Sequence, residues 1–245
     1  MDTTDFLRYN RQMNLTEVGI DGQMKIKQAK VLVIGAGGLG SPVLTYLASC
    51  GVGTLGVIDF DTIEHHNLHR QILFTEADIN KNKTNIAKQR IEQINPHIHF
   101  KTYDEKLTTD NAIAILGSFD IIVDGSDNFS TRYLVNDTCI TLDKILVYGT
   151  ILGFEGQVSI FNHCDKISLR DLFPEPPATE DVPNCSLNGV LGTFPGIIGT
   201  IMAHETLKVI LDLPTLSGQL LILNTLTWEI NKLKYARALP LREIF

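Results

Sequence analysis

The fold is decided by Lys30-Val31-Leu32-Val33-Ile34-Gly35-Ala36-Gly37-Gly38-Leu39-Gly40. The apolar run before the first glycine is typical of a strand that is covered on both faces in a parallel sheet. The G-x-G-x-x-G pattern that follows predicts a tight turn into a helix, whose first backbone N–H groups can meet a phosphate. The alternative is a glycine turn that serves only close strand-to-helix packing.

Working outward from this turn, helix and strand patterns alternate. The spacing of apolar residues predicts a helix from Leu39 to Gly51, and a strand over 54–59 completes a strand–helix–strand unit. The next predicted elements are a helix at 83–94, strands at 98–103 and 119–124, a helix at 128–142 and a strand at 145–148. This order predicts an α/β protein with a doubly wound, Rossmann-like, mostly parallel sheet.

The pattern changes after residue 157. A strand at 157–161 precedes a stretch with five prolines and little periodicity, and then come a helix at 196–211 and a hairpin at 219–234. The hairpin predicts an antiparallel C-terminal extension of the sheet. We expect a single domain over 1–245: an N-terminal helical arm (1–28), a nucleotide-binding core (29–161), a mobile crossover loop (162–195), and a C-terminal helix and hairpin (196–245).

Composition and charge narrow the classes of function. The formal net charge of −7 argues against a nucleic-acid surface, although one basic pocket can exist within an acidic total. The N-terminus is polar and no stretch offers about 18 uninterrupted apolar residues, so we expect no membrane span and a cytoplasmic location. The four cysteines have no C-x-x-C spacing, which indicates neither a zinc site nor a disulfide framework.

Charged side chains follow the second strand at the sheet edge where ligands of α/β folds bind. Asp59, about 20 residues after the glycine loop, is placed to accept ribose hydroxyls, as in a dinucleotide site. Arg70 and Lys83 then offer positive charge of the kind that a triphosphate needs during displacement. Taken singly, Arg70 could pair with a surface acid, and Lys83 could begin a solvated helix face.

A further acidic residue follows the strand at 119–124. Asp127 lies in D-G-S-D-N, where its carboxylate can ligate Mg²⁺ together with phosphate oxygens. The structural alternative is that Asp127 caps the helix that starts at Asn128, since Asp is a preferred N-cap residue. Position alone does not choose between the two roles.

Several motifs in consistent order resemble those of the MoeB/ThiF family, the bacterial relatives of ubiquitin-activating enzymes. Besides Lys83, they are R-Y-N-R-Q at 8–12, G-A-G-G-L-G at 35–40, D-F-D-x(5)-N-L-H-R-Q at 59–71, D-G-S-D-N at 124–128, and P-N-C-S with G-V-L-G within 183–192. The combination is far more specific than any one motif.

The resemblance implies a Mg²⁺-dependent adenylyltransferase, which uses ATP to activate the C-terminal Gly-Gly carboxylate of a ubiquitin-like sulfur-carrier protein of the ThiS/MoaD type. The thiocarboxylate made from it would serve thiamin, molybdopterin or related sulfur metabolism. With Asp127 as the magnesium ligand, the implied ATP-binding set is Gly35, Gly37, Gly38, Gly40, Asp59, Asp61, Asn67, Arg70, Gln71, Lys83, Asp127 and Asn128.

Two further residues enter through the resemblance alone. The family's homodimers place the arginine that matches Arg11 in the phosphate site of the neighbouring subunit, so Arg11 joins Arg70, Lys83 and Asp127 as a catalytic candidate. Cys185 matches a cysteine of the family's mobile loop, which attacks the activated carrier in some members and is dispensable in others. A catalytic Cys185 would have to be exposed and partly ionised.

The chain departs from many relatives in two ways. Ser168 and Asp171 stand where a first zinc-binding C-x-x-C pair would fall, so we expect no zinc and a C-terminal region held by packing, through Trp228 and the Leu220 to Leu223 run. The sequence ends at Phe245 without a rhodanese-like domain, so we expect a persulfide donor on a separate protein.

Three rival functions stay open. An NAD(P)-dependent oxidoreductase would share the glycine loop and Asp59. A relative that adenylates a tRNA base would share the ATP site but should expose a basic surface. A non-catalytic relative would bind the carrier without turning over ATP.

Overall fold

The computed structural model describes residues 3–164, 166–177 and 189–236. Eight strands form one sheet. They are β1 (Lys30–Ile34), β2 (Thr54–Ile58), β3 (His99–Tyr103), β4 (Ile121–Asp124), β5 (Ile145–Leu152), β6 (Glu155–Phe161), β7 (Gln219–Asn224) and β8 (Glu229–Lys234).

The sheet order is β3-β2-β1-β4-β5-β6-β7-β8, and it confirms the predicted fold class. The strands β3, β2, β1, β4 and β5 pair in parallel, whereas β6, β7 and β8 add antiparallel neighbours. The chain moves outward from β1 to β3 and then returns to β4 on the other side of β1. The carboxyl ends of β1 and β4 therefore form the switch point, where open α/β sheets bind ligands.

Helices cover both faces of the sheet. They are α1 (Thr3–Met13), α2 (Gly19–Gln28), α3 (Gly40–Cys50), α4 (Lys83–Ile94), α5 (Ala112–Leu116), α6 (Phe129–Thr141), α7 (Leu169–Leu172) and α8 (Phe194–Ile210). Because successive side chains of a strand point to opposite faces, Val31 and Val33 pack in the cluster with α3, α4 and α8, whereas Leu32 packs in the one with α5 and α6. Both faces of β1 are thus buried, as its continuous apolar run predicts.

The structure differs from the sequence-based expectation in the C-terminal part. α8 begins at Phe194 with Pro195 in its first turn, a position that suits the fixed φ of proline, so the boundary placed at 196 is wrong by two residues. Leu220 and Leu223 are buried as expected. Trp228, expected to pack, is instead 69% exposed, with φ of 60° in the turn between β7 and β8. No helix in the described ranges is long and apolar enough to span a membrane.

The segment at 166–177 is held against α6 by polar contacts. Ser168 and Asp171 bond to each other and cap α7, with 2.8 Å between Ser168 Oγ and Asp171 Oδ2. Arg170 reaches α6, where its Nε and Nη2 donate to the two carboxylate oxygens of Asp137 at 2.8 Å each. The same guanidinium lies 4.8 Å from the centre of the Tyr133 ring. Side-chain contacts therefore hold this segment. Ser168 and Asp171 take part in them, at the positions that correspond to a zinc-binding cysteine pair in the family resemblance.

We expect Arg170→Ala to lower the free energy of unfolding at neutral pH by about 1 kcal/mol, since the lost pair is bidentate but half exposed. The hydrogen bonds from Arg170 lower the pKa of Asp137. The loss should hence be full above pH about 4, the ordinary Asp value, and should shrink as the pH falls through the lowered pKa. Urea unfolding of both proteins between pH 3 and 7 measures this, and a pH-independent difference would contradict it.

Candidate active site

The glycine loop connects β1 to α3 at the switch point. Gly35 has φ of 85°, a conformation that side chains rarely adopt, and a Cβ on Gly40 would lie 1.9 Å from the carbonyl oxygen of Gly35. Gly35 and Gly40 are therefore required by the backbone conformation of the turn. Gly37 differs, because among the described residues a Cβ there would meet only Gln71 Nε2, at 3.6 Å. The loop combines a packing requirement at its ends with an open approach in its middle.

Asp59 follows β2 and is hydrogen-bonded to the glycine loop. Its Oδ2 accepts from the backbone N–H of Ala36 at 2.8 Å, and its Oδ1 accepts from the N–H of Asp61 at 2.9 Å. Burial raises the pKa of Asp59, against the lowering effects of Lys83 and of these N–H groups. The carboxylate holds the turns after β1 and β2 together, and its remaining lone pairs can accept hydroxyl groups.

Lys83 begins α4 and forms an ion pair with Asp61, with 2.8 Å between Nζ and Oδ2. The alternative of a solvated helix face is wrong for this residue, which is only 5% exposed. Asp61 is half exposed, so the pair sits at the site's margin with the ammonium inside. A buried ammonium here provides a fixed positive charge beside the sheet edge.

Arg70 and Gln71 lie next to the middle of the glycine loop. A Cβ on Gly38 would be 3.7 Å from Arg70 Cγ, and Arg70 Nη1 donates to the carbonyl oxygen of His66 at 2.7 Å. Among the described residues, Arg70 does not pair with a surface acid, the alternative suggested for it from the sequence. Gln71 is buried, and its Oε1 has no hydrogen-bond partner among the described residues.

Asn67 has a structural role in this segment. It is buried at the end of the short 3₁₀-helix His65–Asn67, where its Oδ1 accepts from the backbone N–H of Glu64 at 3.1 Å. This contact shapes the turn that carries Arg70 and Gln71.

The loop between β4 and α6 adjoins the glycine loop. A Cβ on Gly35 would lie 3.2 Å from the carbonyl oxygen of Gly125. The N-cap of α6 is Asn128, whose Oδ1 accepts from Thr131 N at 2.9 Å, so the capping role suggested for Asp127 is wrong. Asp127 is exposed, and its Oδ1 accepts a long hydrogen bond from Asn128 Nδ2 at 3.4 Å. Its carboxylate is thus uncommitted within the described residues.

The sequence reasoning missed Asp124 and Arg132, which lie beneath this loop. Both are buried, and Arg132 Nε is 3.4 Å from Asp124 Oδ2. The signal was present in the spacing, because Arg132 comes one helical turn after the N-cap Asn128 and so points back toward the loop.

The segment before α8 returns to the same place. A Cβ on Gly38 would lie 3.0 Å from Pro195 Cβ, and one on Gly192 would lie 2.2 Å from the carbonyl oxygen of His69. The glycine loop and the segment that contains His69 are therefore both close to the start of α8.

Arg11, a predicted catalytic residue, is not part of this cluster. Arg11 is exposed on α1, whose neighbouring Gln12 donates to Cys50 O at the C-terminal end of α3, 3.1 Å away. The glycine loop lies at the N-terminal end of α3. The 11 residues of this helix separate its two ends by about 16 Å. Cys185 lies outside the described residues.

Comparison with known proteins identifies the family. The sequence pattern of the ThiF family matches residues 9–241. The chain belongs to the ThiF family. It is 45% identical to the sulfur carrier protein adenylyltransferase of Thermus thermophilus, over 94% of this chain and 87% of that protein. It is 47% identical to the adenylyltransferase and sulfurtransferase MOCS3 of Culex quinquefasciatus, over 91% of this chain and 51% of that protein.

The length and the fold complete the comparison. The ThiF-family chain spans about half the length of the mosquito MOCS3 proteins that it matches. Among solved structures, it resembles E. coli MccB with MccA-N7isoASN, with a TM-score of 0.85 and 21% identity over the whole of this chain and 75% of that one. This likeness shows the fold.

The two kinds of glycine can be separated by alanine substitution. We expect Gly40→Ala to unfold the protein or to lower its melting temperature strongly, because the new Cβ clashes with backbone. We expect Gly37→Ala to change the melting temperature little, because its Cβ would be in ordinary contact. Circular dichroism melts of both variants measure this, and equal losses at the two positions would contradict it.

Proposed function

We propose that this ThiF-family protein is an ATP-dependent adenylyltransferase, which activates the C-terminal Gly-Gly carboxylate of a ubiquitin-like sulfur-carrier protein. Family membership over residues 9–241 and the similarity to a sulfur carrier protein adenylyltransferase support the reaction type. The observation that carries the proposal is the charge pattern at the switch point. Lys83 is buried there, and within residues 3–164, 166–177 and 189–236 Arg70 has no acidic partner and Asp127 has no paired cation.

The chemistry needs little beyond positioning. An α-carboxyl group has a pKa of about 3.3 to 3.7, so the carrier's carboxylate is ionised at neutral pH and requires no general base. One of its oxygens attacks the α-phosphorus, the bond to the bridging oxygen breaks, and pyrophosphate leaves with the bonding pair. The product is an acyl adenylate, a mixed anhydride, from which a persulfide can displace AMP. Catalysis thus depends on alignment and charge stabilisation.

In this proposal each part of the site has one task. The glycine loop, Asp59 and Asp61 hold the nucleotide, with Asp59 accepting the ribose hydroxyls and the open face at Gly37 admitting the phosphates. Arg70 and Lys83 stabilise the negative charge that accumulates on the phosphates and on the departing pyrophosphate. Asn67 and Asn128 act by shaping the turns that carry Arg70 and Asp127.

Mg²⁺ fits the carboxylate of Asp127. This carboxylate is exposed at the switch point with no cation paired to it in the described ranges, and hard divalent cations prefer carboxylate and phosphate oxygens. When bound, Mg²⁺ would neutralise phosphate charge and orient the triphosphate. Asp127 would hold it, and Asn128 would keep the helix closed behind it.

We also propose a homodimer in which Arg11 serves the partner's site. Within one chain, the contact of Gln12 at the far end of α3 places Arg11 away from the glycine loop. Its neighbour Arg8 is engaged locally, donating to the carbonyl oxygen of Ile94. The dimer, a role for Cys185, a separate persulfide donor, the single-domain organisation and the cytoplasmic location remain predictions from the sequence.

The rival functions lack comparable support. An NAD(P)-dependent oxidoreductase leaves the cations at the switch point unexplained, and none of the similar proteins named above is an oxidoreductase. Adenylation of a tRNA base calls for a basic surface, which the net charge of −7 does not favour. A non-catalytic role does not use Arg70, Lys83 and Asp127 together.

Pyrophosphate exchange tests the reaction. We expect exchange between ATP and pyrophosphate only when a Gly-Gly carrier is added, and we expect Lys83→Met to lower its rate by about 10²- to 10³-fold. Lys81→Met is the matched control, since Lys81 is half exposed and pairs with Asp78. Absence of exchange with every Gly-Gly carrier of the host would refute the function, and equal losses in the two variants would refute the role of Lys83.

Mixed dimers test the shared site. Arg11→Ala and Asp127→Ala should each be inactive alone. After subunit exchange of equal amounts, half of the dimers carry one intact site, so activity should return to about a quarter of the wild-type value. Arg8→Ala mixed with Asp127→Ala is the control for a neighbouring arginine. No recovery despite measured subunit exchange would contradict a site shared between subunits.

A further inference from the structure

Arg132 is a buried cation that the proposed reaction does not use. It lies in the first turn of α6 and is only 5% exposed, directly behind the loop at 125–128. Removing a guanidinium from water is unfavourable unless its contacts compensate. Because Asn128 already caps α6, the helix itself does not require this arginine.

Arg132 contacts Ser126 in the loop and two residues of the neighbouring strand β5. Its Nη2 donates to the carbonyl oxygen of Ser126 at 3.0 Å and to that of Gly149 on β5 at 3.3 Å. Its guanidinium carbon lies over the Tyr148 ring, 5.0 Å from the ring centre, within the range of a cation–π contact. Arg132 thus ties the loop to the neighbouring strand.

Asp124 holds the same residue from the other side. It is completely buried at the end of β4, and its Oδ1 accepts from the backbone N–H of Ser126 at 2.9 Å. Its Oδ2 lies 3.4 Å from Arg132 Nε, an electrostatic contact without hydrogen-bond geometry. The N–H and the C=O of Ser126, directly before Asp127, are therefore both fixed by this ion pair.

We propose that Arg132 is a positioning residue, which acts with Asp124 to hold the 125–128 loop so that the Asp127 carboxylate faces a metal–nucleotide complex. The inference rests on the proposed function, because it assumes that Asp127 binds the metal. Substitution of a residue that orients a metal ligand lowers the affinity of the site for the metal. Nη2 of Arg132 donates to both carbonyl oxygens, while Nε approaches Asp124 and the guanidinium carbon lies over the Tyr148 ring. A lysine, with one ammonium group, cannot make all of these contacts at once.

Arg170 provides a matched control. It also pairs with an aspartate and lies over a tyrosine ring, but both partners are on the side of α6 that holds the 166–177 segment. An arginine with a purely structural role should lower stability when replaced by lysine without changing metal affinity. Comparing Arg132→Lys with Arg170→Lys therefore separates positioning from stability.

The experiment measures Mn²⁺ binding by electron paramagnetic resonance, in the presence of α,β-methylene-ATP and without carrier. Melting temperatures identify the variants that are folded. We expect Arg132→Lys to weaken Mn²⁺ binding by about 10- to 100-fold, the usual range for the partners of metal ligands. Arg170→Lys should bind Mn²⁺ like the wild type. In pyrophosphate exchange, Arg132→Lys should require correspondingly more Mg²⁺ for half the maximal rate.

Two further variants make each outcome decisive. Asp127→Asn should abolish Mn²⁺ binding; if it does not, the metal assignment in the proposed function fails. If Asp127→Asn abolishes binding but folded Arg132→Lys binds Mn²⁺ like the wild type, the positioning role alone is overturned. Should Arg132→Lys not fold, Asp124→Asn decides, because it keeps an oxygen for Ser126 N but loses the charge that attracts Arg132. Wild-type Mn²⁺ affinity in that variant would overturn the proposal.

Discussion

The close approach of Gly40 to the carbonyl oxygen of Gly35 is the contact on which the structure depends. No side chain fits between them, so the absence of a Cβ at Gly40 allows the glycine loop to turn tightly from β1 into α3. The N-terminal end of α3 is thereby fixed beside the carboxyl end of β1. Asp59 then joins the turn after β2 to the same place through Ala36, so the scaffold of the site consists of backbone groups and one carboxylate.

The charges around this scaffold are divided between paired and unpaired groups. Lys83 is paired with Asp61 and buried, which keeps its position fixed. Arg70 is bonded to a carbonyl oxygen and Asp127 to an amide, so both retain a charge that no protein group neutralises within the described residues. Such an arrangement is complementary to a ligand that carries charge of both signs, as a metal-bound triphosphate does.

Much of this was predictable because the relevant signals are local. The apolar run of β1, the glycine pattern and the helix over 83–94 follow from periodicity and turn chemistry, and the motif order indicates the family. Contacts between distant segments were not predictable in this way. The contact of Arg132 with the carbonyl oxygen of Gly149, the seating of Pro195 against Gly38 and the exposure of Trp228 depend on which segments become neighbours, which periodicity does not encode.

The separation of tasks between Asp127 and Asn128 has a consequence for how this protein can change. Asn128 closes the helix, and Asp127 carries the uncommitted charge. A substitution at Asp127 can therefore remove this charge while the N-cap of α6 stays in place, and a substitution at Asn128 can weaken the helix without removing the carboxylate. Selection or engineering can therefore change Asp127 and Asn128 one at a time, although they are adjacent in the chain.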